Sequence, residues 1–193
     1  MPSSADDPVA TALRDAATAA LAQVSAVPPS ATAPVVLIDG RSGSGKTTLA
    51  ALIAAHWSGS LRVVALDDIY PGWNGLAQGA DTARDEILVP HRAGRTARWR
   101  RWDWAAQQQG ESDAVAPGTG LIVEGSGVLT PGSAALADVR IWLESPAASR
   151  RERALRRDGD TYRPHWERWA AQEETHLALD HPSRWATLVA EIP

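Results

Sequence analysis

The sequence of 193 residues contains no cysteine, which excludes disulfides, thiolate metal sites and a cysteine nucleophile. It also contains no apolar run that approaches the roughly 20 residues of a membrane-spanning helix. Residues 1–8 lack the basic start that is typical of a signal peptide. These absences predict a soluble, cytoplasmic protein that has no membrane partner.

An excess of positive charge is missing too. Aspartates and glutamates, 23 in number, outnumber the 19 lysines and arginines, and the formal net charge is −4. Because nucleic-acid-binding domains usually carry a basic surface, we expect no nucleic-acid partner. Phenylalanine is absent as well, although the chain has nine tryptophans. The length is typical of one domain with a sizeable core.

One stretch has the pattern of a phosphate-binding loop. Residues 40–47 read Gly-Arg-Ser-Gly-Ser-Gly-Lys-Thr, which fits G-x-x-x-x-G-K-[ST], the Walker A motif. The apolar run 35–39 before it predicts a buried strand, and the Ala/Leu-rich stretch 48–57 after it predicts a helix. When a strand, a glycine loop and a helix follow one another in this way, the backbone N–H groups of the loop and the positive N-terminal end of the helix point at phosphate oxygens. The loop therefore predicts a nucleoside triphosphate site.

The residues of this loop have defined uses. Lys46 would reach the β- and γ-phosphates, and the Thr47 hydroxyl would bind Mg²⁺. The predicted nucleotide-binding residues of the loop are Gly40, Ser42, Gly43, Ser44, Gly45, Lys46, Thr47 and Thr48.

The N-terminal part of the chain predicts one helix over residues 7–26, with apolar residues at helical spacing. Asp6 or Asp7 could cap it, and the Pro-Pro pair at 28–29 would end it. A linker follows over 28–34. We therefore divide the chain into an N-terminal helix with its Pro-rich linker, 1–33, and a second region, 34–193, and expect the helix to pack outside the catalytic fold.

Further apolar runs predict strands at 61–66, 121–124 and 139–143, and residues 185–192 fit a fifth strand or a short helix. Helices are predicted at 82–88, before a break at 90–94, and at 146–157 and 164–179, on either side of a break at 159–160. Strands that alternate with helices indicate an α/β fold with a parallel sheet.

Carboxylates follow two of these strands. Asp67 and Asp68 come directly after the second strand, and Glu124 ends the third. Because ligands of open α/β sheets bind beyond the carboxyl ends of the strands, these side chains are expected near the γ-phosphate and its Mg²⁺. A turn or helix-cap role for the two aspartates stays open.

Arginine is concentrated in two segments. Residues 95–104 interleave four arginines with three tryptophans, a composition typical of a nucleic-acid platform, of a groove for a flat or anionic small molecule, or of a surface helix or strand. The negative net charge of the chain favours the groove for a small molecule over the nucleic-acid platform. Residues 146–157 carry five arginines, which form either a solvated face or a set of phosphate-binding groups.

Taken in order, these motifs resemble those of the uridine kinase group of P-loop kinases, over about residues 35–189. Asp-Asp-Ile-Tyr at 67–70 is similar to the group's Asp-x-Phe-Tyr motif, and Trp-Asp-Trp at 102–104 resembles its Tyr-Asp-Phe. Glu-Gly at 124–125 looks like the Glu-Gly that ends its third strand. The arginines between 150 and 163 are similar to its arginine-bearing lid.

The resemblance implies the α/β fold of a P-loop NTPase, with a five-stranded parallel sheet in the order 2-3-1-4-5 and helices on both faces. It implies a kinase that uses ATP (or another nucleoside triphosphate) and Mg²⁺, and that phosphorylates a hydroxyl of a small-molecule acceptor. The kinase domain would span 34–193, including an arginine-rich lid around 147–163. A homodimer stays open.

The resemblance also implies roles for individual residues. Asp67 would be the base that accepts the hydroxyl proton, and Thr47, Asp67 and Glu124 would hold Mg²⁺. Of the lid, Arg153 and Arg157 would join Lys46 and Asp67 as catalytic residues, and Arg150 would bind nucleotide. The predicted substrate residues are Asp68, Tyr70, Trp73, Arg101, Trp102, Asp103, Trp104 and Arg163.

Two departures from the group's pattern concern the acceptor. The group has an Asp for the ribose hydroxyls where Trp73-Asn74 stands here, and a His where Gln107 stands. Three functions stay open: a kinase for a nucleoside or nucleoside-like hydroxyl compound, a nucleoside monophosphate kinase, or a non-catalytic nucleotide-binding regulator. The arginines of 95–101 favour the second, as phosphate binders.

Overall fold

A computed structural model describes residues 7–28 and 33–193. The strands are β1 Val35–Gly40, β2 Leu61–Ala65, β3 Ala97–Asp103, β4 Gln108–Val115, β5 Gly120–Glu124, β6 Val139–Glu144 and β7 Leu188–Glu191. The α-helices are α1 Pro8–Ser25, α2 Lys46–Ala55, α3 Leu76–Thr82, α4 Val89–Arg92, α5 Pro131–Ala134, α6 Ala147–Tyr162 and α7 Trp166–Asp180. A π-helix, Ala83–Leu88, joins α3 to α4, and 3₁₀ turns lie at Leu66–Asp68, Arg163–His165 and Pro182–Arg184.

Five parallel strands form the central sheet, in the spatial order β2-β5-β1-β6-β7. Counted along the chain within this sheet, the order is 2-3-1-4-5, so the predicted fold is confirmed. Strand β1 lies in the middle and is buried along its whole length, as its apolar run requires. Ile38 of β1 pairs with Glu124 of β5, which brings the carboxyl ends of these strands to one edge.

Helices cover both faces of the sheet, as predicted. On one face Val36 and Ile38 pack with residues of α1 and α2. On the other face Val35 and Leu37 pack with residues of α3, the π-helix, α6 and α7. Successive residues of a strand point to opposite faces, so the continuous apolar run of β1 supplies both cores.

Helix α1 packs on the sheet beside α2. Its N-cap is Asp7, whose side chain accepts the Val9 N–H at 3.0 Å. Small side chains dominate its buried stripe, which contains Leu13, Ala16, Ala17 and Ala20, and they allow close approach to α2. The alternative cap at Asp6 and the stop at Pro29 lie outside the described residues. The boundary at 33/34 therefore stays a prediction.

One local prediction needs correction, and one element was not predicted. The break predicted at 90–94 begins only after Arg92, because the π-helix carries the chain into α4 and through Pro90; a turn with Gly94 at φ 66° follows. Residues 97–115 form an antiparallel hairpin of β3 and β4. The second strand of this hairpin, Gln-Gln-Gly-Glu-Ser-Asp-Ala-Val, has no apolar alternation, so no sequence signal predicted it.

The predicted break near residue 159 is confirmed, because Gly159 has φ 54° and ψ −132° and kinks α6. The uncertain fifth segment is a strand, β7. Within residues 7–28 and 33–193, no helix combines the length and the apolarity needed to cross a membrane.

A buried charged group ties α7 to the end of β1. The ring nitrogens of His176 lie 3.0 Å from Asp39 Oδ2 and 2.8 Å from Asp180 Oδ2. Burial alone would lower the pKa of His176, but the hydrogen bonds and charges of the two aspartates outweigh it and raise the pKa to about 9. The folded protein therefore holds His176 in its charged form at neutral pH.

We expect this pair to make stability pH-dependent. A His pKa raised from 6.5 to about 9 contributes stability that is fully present below pH 6.5 and is lost as the pH rises through 9, on the order of 3 kcal/mol. The free energy of unfolding should be measured across this range for the wild type and for His176→Gln. The free energy of unfolding of the wild type should fall relative to that of the variant as the pH rises through 9. A difference between the two that stays constant with pH would show that the charge of His176 does not stabilise the fold.

Candidate active site

The carboxyl ends of β1, β2 and β5 open into one cavity of about 760 Å³. The phosphate loop, the 3₁₀ turn after β2, the end of β5, the hairpin tip and the α6–α7 junction surround it. Residues from every predicted group line it: Ser42, Gly43, Gly45, Lys46, Thr47, Thr48, Asp67, Tyr70, Trp73, Trp104, Glu124, Arg153 and Arg157. The sheet edge thus brings together residues that are 115 positions apart in the chain, from Ser42 to Arg157.

The phosphate loop has the conformation that its glycines permit. Gly43 and Gly45 have φ of +79° and +103°, values that residues with a Cβ rarely adopt. A Cβ on Gly43 would also clash with the backbone carbonyl of Arg150. Gly40 and Ser44, which do not line the cavity, lie in the same loop, and the Ser44 side chain is buried. Their role in nucleotide binding stays a prediction.

Lys46 is folded back onto the loop. Only 9% of the residue is exposed. Its Nζ donates hydrogen bonds to the carbonyl oxygens of Gly40, at 2.7 Å, and Arg41, at 3.3 Å, and to the hydroxyl of Ser126, at 3.2 Å. The loop's own carbonyls therefore hold the ammonium at the cavity floor.

Thr47 and Glu124 meet across the cavity floor. The Thr47 hydroxyl donates to Glu124 Oε1 at 2.9 Å, and the cavity leaves the Thr47 side chain accessible. Burial raises the pKa of Glu124, although the charge of Lys46 opposes this shift. The charge of Asp67 raises it further, so the two carboxylates act on each other.

These donors fit a magnesium ion. No cluster of three or more acidic or histidine side chains suited to a metal occurs in the described parts of the chain. Mg²⁺ in nucleotide sites uses one or two carboxylates, with phosphate oxygens and water as its other ligands. Two carboxylates, Asp67 and Glu124, and the Thr47 hydroxyl match that requirement.

The two aspartates after β2 point in different directions. Asp67 lines the cavity, whereas Asp68 pairs with Arg101 at 2.8 Å on the outer side. Desolvation by the surrounding cavity wall raises the pKa of the Asp67 carboxyl, while the charges of Lys46 and Arg157 oppose the shift. Of the two carboxylates, Asp67 is the one that faces the phosphate loop.

The arginines of α6 divide between the loop and the cavity. Arg150 is buried and donates to the carbonyl oxygens of Ser145, at 3.0 Å, and Ser42, at 3.3 Å. Arg153 donates to the carbonyl of Gly43 at 2.8 Å and also lines the cavity. Arg157 lines it too, paired with Asp158 at 2.7 Å. Arg150 thus supports the loop from behind, off the cavity wall.

Aromatic rings line a large part of the cavity. Trp73 stacks on His165, with ring centroids 4.3 Å apart, and on Tyr162 at 5.5 Å. Its ring also lies 4.9 Å from that of Trp104, and Tyr70 meets Trp169 edge-on at 4.7 Å. We call these six residues, Tyr70, Trp73, Trp104, Tyr162, His165 and Trp169, the aromatic wall.

Half of the aromatic wall was missed in the sequence. Tyr162, His165 and Trp169 come from the α6–α7 junction, and Ser126 on the cavity floor was missed as well. The spacing of 162, 165 and 169 keeps one helical side, and this is the signal that could have found them. Nothing local marked Ser126, which follows the predicted Glu-Gly pair by one residue.

The hairpin contributes through its tip. Trp104 and Gln107 line the cavity, and Trp104 Nε1 donates to the Asp67 carbonyl at 2.8 Å. Asp103 instead accepts the N–H groups of Ala105 and Ala106, both at 2.9 Å, and so shapes the hairpin turn. The predicted substrate residues that the structure leaves off the cavity lining are Asp68, Arg101, Trp102, Asp103 and Arg163.

Comparison with family models and with curated proteins finds no match. Among solved structures, the chain is similar to a protein from Bacillus stearothermophilus described as a possible uridine kinase, with TM-score 0.64 and 19% identity over 92% of this chain and 98% of that one. It is also similar to a protein from Silicibacter sp. TM1040, provisionally described as a fructose transport system kinase, with TM-score 0.50 and 20% identity over the same shares. The chain therefore has the fold of uridine kinase-like P-loop kinases.

Lys46 is the only lysine in the chain, and this permits a direct test of the loop. An amine-acylating reagent should modify Lys46 and the N-terminal amine. If a triphosphate covers Lys46, acylation there should slow by about 100-fold at a ligand concentration about 100 times Kd. Mass spectrometry would follow both amines in the presence of Mg²⁺ and a non-hydrolysable triphosphate. The N-terminal amine is the internal control, and equal rates at Lys46 with and without ligand would contradict the assignment.

Proposed function

We propose that the protein is an ATP-dependent kinase that transfers the γ-phosphoryl group to a hydroxyl of an uncharged small molecule, a nucleoside or a nucleoside-like compound. One observation carries the proposal: the Asp67 carboxylate faces the same cavity as the phosphate loop and Lys46, whereas Asp68 points away from it. This position suits a group that orients an acceptor hydroxyl beside the γ-phosphate.

The chemistry assigned to Asp67 is proton acceptance. An alcohol that attacks the γ-phosphorus loses its proton late in a loose transition state, so a carboxylate that orients the hydroxyl is sufficient as a base. Bound Mg²⁺ would neutralise phosphate charge, and Thr47, Asp67 and Glu124 are the residues proposed to hold it.

Positive side chains are proposed to stabilise the charge on the transferred group. Lys46, Arg153 and Arg157 line the cavity, and fixed donors aimed at developing charge act strongly where water is excluded. Arg157 can exchange its pairing with Asp158 for phosphate oxygens, because guanidinium groups bind both types of oxyanion.

The aromatic wall supports a flat acceptor. Rings such as Trp73 and Trp104 offer stacking surfaces, and stacked aromatic pairs are worth about 0.5–1.5 kcal/mol beyond their burial. Gln107 supplies a neutral amide at the same cavity. A planar, uncharged compound with polar edges fits these groups.

The alternative of a nucleoside monophosphate kinase has less support. It depends on the arginines of 95–101 as phosphate binders, but Arg100 donates to the Gly110 carbonyl at 2.7 Å and Arg101 pairs with Asp68. Neither lines the cavity. The names of the similar structures, a possible uridine kinase and a fructose transport system kinase, support a neutral hydroxyl acceptor and justify testing both nucleosides and sugars.

The proposal is tested by ADP release, measured with a panel of nucleosides, monophosphates and sugars for the wild type, Asp67→Asn and Asp68→Asn. Asp67→Asn keeps the shape of the side chain but cannot accept a proton, so the rate should fall by roughly 10²–10⁴-fold while triphosphate affinity changes little. Asp68→Asn, the matched control, should stay within a few-fold of the wild type. If Asp68→Asn lost the rate while Asp67→Asn kept it, the assignment of the base would be reversed. If the protein bound the triphosphate but released no ADP with any acceptor, it would be a regulator.

A further inference from the structure

A carboxylate from outside the nucleotide motifs lies beneath the phosphate loop. Glu173, in the middle of α7, is only 2% exposed and does not line the cavity. Its Oε1 accepts the backbone N–H of Ser42 at 2.6 Å and the hydroxyl of Ser126 at 3.0 Å. One buried oxygen therefore fixes the loop backbone and a side chain of the cavity floor together.

The same contacts lead to Lys46. The Ser126 hydroxyl that Glu173 holds also accepts a hydrogen bond from Lys46 Nζ, at 3.2 Å. It lies 3.0 Å from the Gly40 carbonyl oxygen as well, and Lys46 bonds to that same oxygen. Glu173 thus sets the place of the groups that hold the ammonium before a triphosphate arrives.

Arg41 lies between the carboxylates of Glu173 and Glu174. Glu173 Oε2 lies 3.5 Å from Arg41 Nε, and the exposed Glu174 pairs with the same arginine at 2.7 Å. His176, three residues further along α7, contacts Asp39 under the end of β1. One side of α7 therefore holds the phosphate loop through Glu173 and the end of β1 through His176.

We propose that Glu173 is a positioning residue for triphosphate binding: it holds the Ser42 N–H and the Ser126 hydroxyl so that the loop and Lys46 are preset for the β- and γ-phosphates. This rests on the proposed function, because it concerns the same site. The property required is the length of the Glu173 side chain, because one of its oxygens must contact two donors at once. Arg41 keeps Glu174 as a partner, so the charge of Glu173 matters less.

Two conservative variants separate reach from charge. Glu173→Gln keeps the length and an acceptor oxygen but removes the charge, and Glu173→Asp keeps the charge but shortens the side chain by one methylene. We expect the Kd for Mg²⁺ and a non-hydrolysable ATP analogue to stay within about threefold of wild type in Glu173→Gln. In Glu173→Asp it should rise about tenfold or more, as expected for the loss of two hydrogen bonds. Glu174→Asp, the matched control on the neighbouring residue, should leave Kd unchanged.

A nucleoside monophosphate separates positioning from general loss of structure. AMP lacks the β- and γ-phosphates, so its Kd should change less than twofold in Glu173→Asp, at temperatures where circular dichroism shows each variant folded. Hydrogen exchange of the Ser42 amide without ligand should accelerate in Glu173→Asp and not in Glu173→Gln.

Several results would overturn the inference. Equal loss of AMP and triphosphate affinity would make Glu173 a purely structural residue. If Glu173→Gln bound the triphosphate weakly and Glu173→Asp bound it with the wild-type Kd, the role of Glu173 would be electrostatic. Equal triphosphate Kd in all variants would refute this inference alone. If the wild type failed to bind the triphosphate, the proposed function would fall and this inference with it.

Discussion

The buried carboxylate of Asp39 is the constraint on which the site depends. It accepts the N–H groups of Gly40 at 2.6 Å, Gly127 at 3.0 Å and Leu129 at 2.8 Å, and it contacts His176 at 3.0 Å. These partners belong to the phosphate loop, the segment after β5 and helix α7. A buried charge is stable only when it is paired and fully hydrogen-bonded, so three separate segments must meet at the end of β1 for the fold to hold it.

The sequence predicted the parts of the fold that depend on local pattern. Each strand of the sheet is a short apolar run, and residues 40–47 carry the loop motif. The sheet, its helices and the position of the phosphate loop could therefore be predicted. Lys46 and Thr47 were placed by the loop motif. Asp67 and Glu124 were placed because they stand at strand ends, where parallel topology fixes their position. The burial of Lys46 was not foreseen, because it results from Ser126 and from the carbonyls of a loop that folds back on itself.

What the sequence could not place depends on packing between distant segments. Glu173 and Trp169 lie on an ordinary amphipathic helix, and only the docking of α7 on β1 turns them toward the phosphate loop and the aromatic wall. The hairpin gave the opposite difficulty: Trp102-Asp103-Trp104 suggested three residues at the acceptor, but β3 ends at Asp103, so Trp104 lies in the turn at the cavity and Asp103 caps that turn. The abundance of tryptophan acquires a physical role here, because Trp73, Trp104 and Trp169 build the aromatic wall.

The proposed reaction moves a phosphoryl group from a triphosphate to an acceptor hydroxyl. The most direct measurement is mass spectrometry of the acceptor after incubation of the wild type with ATP, Mg²⁺ and the panel of uncharged nucleosides and sugars. We predict that at least one acceptor gains a single phosphoryl group, in a yield equal to the ADP formed. ADP that appears only with inorganic phosphate, whichever acceptor is present, would contradict the account.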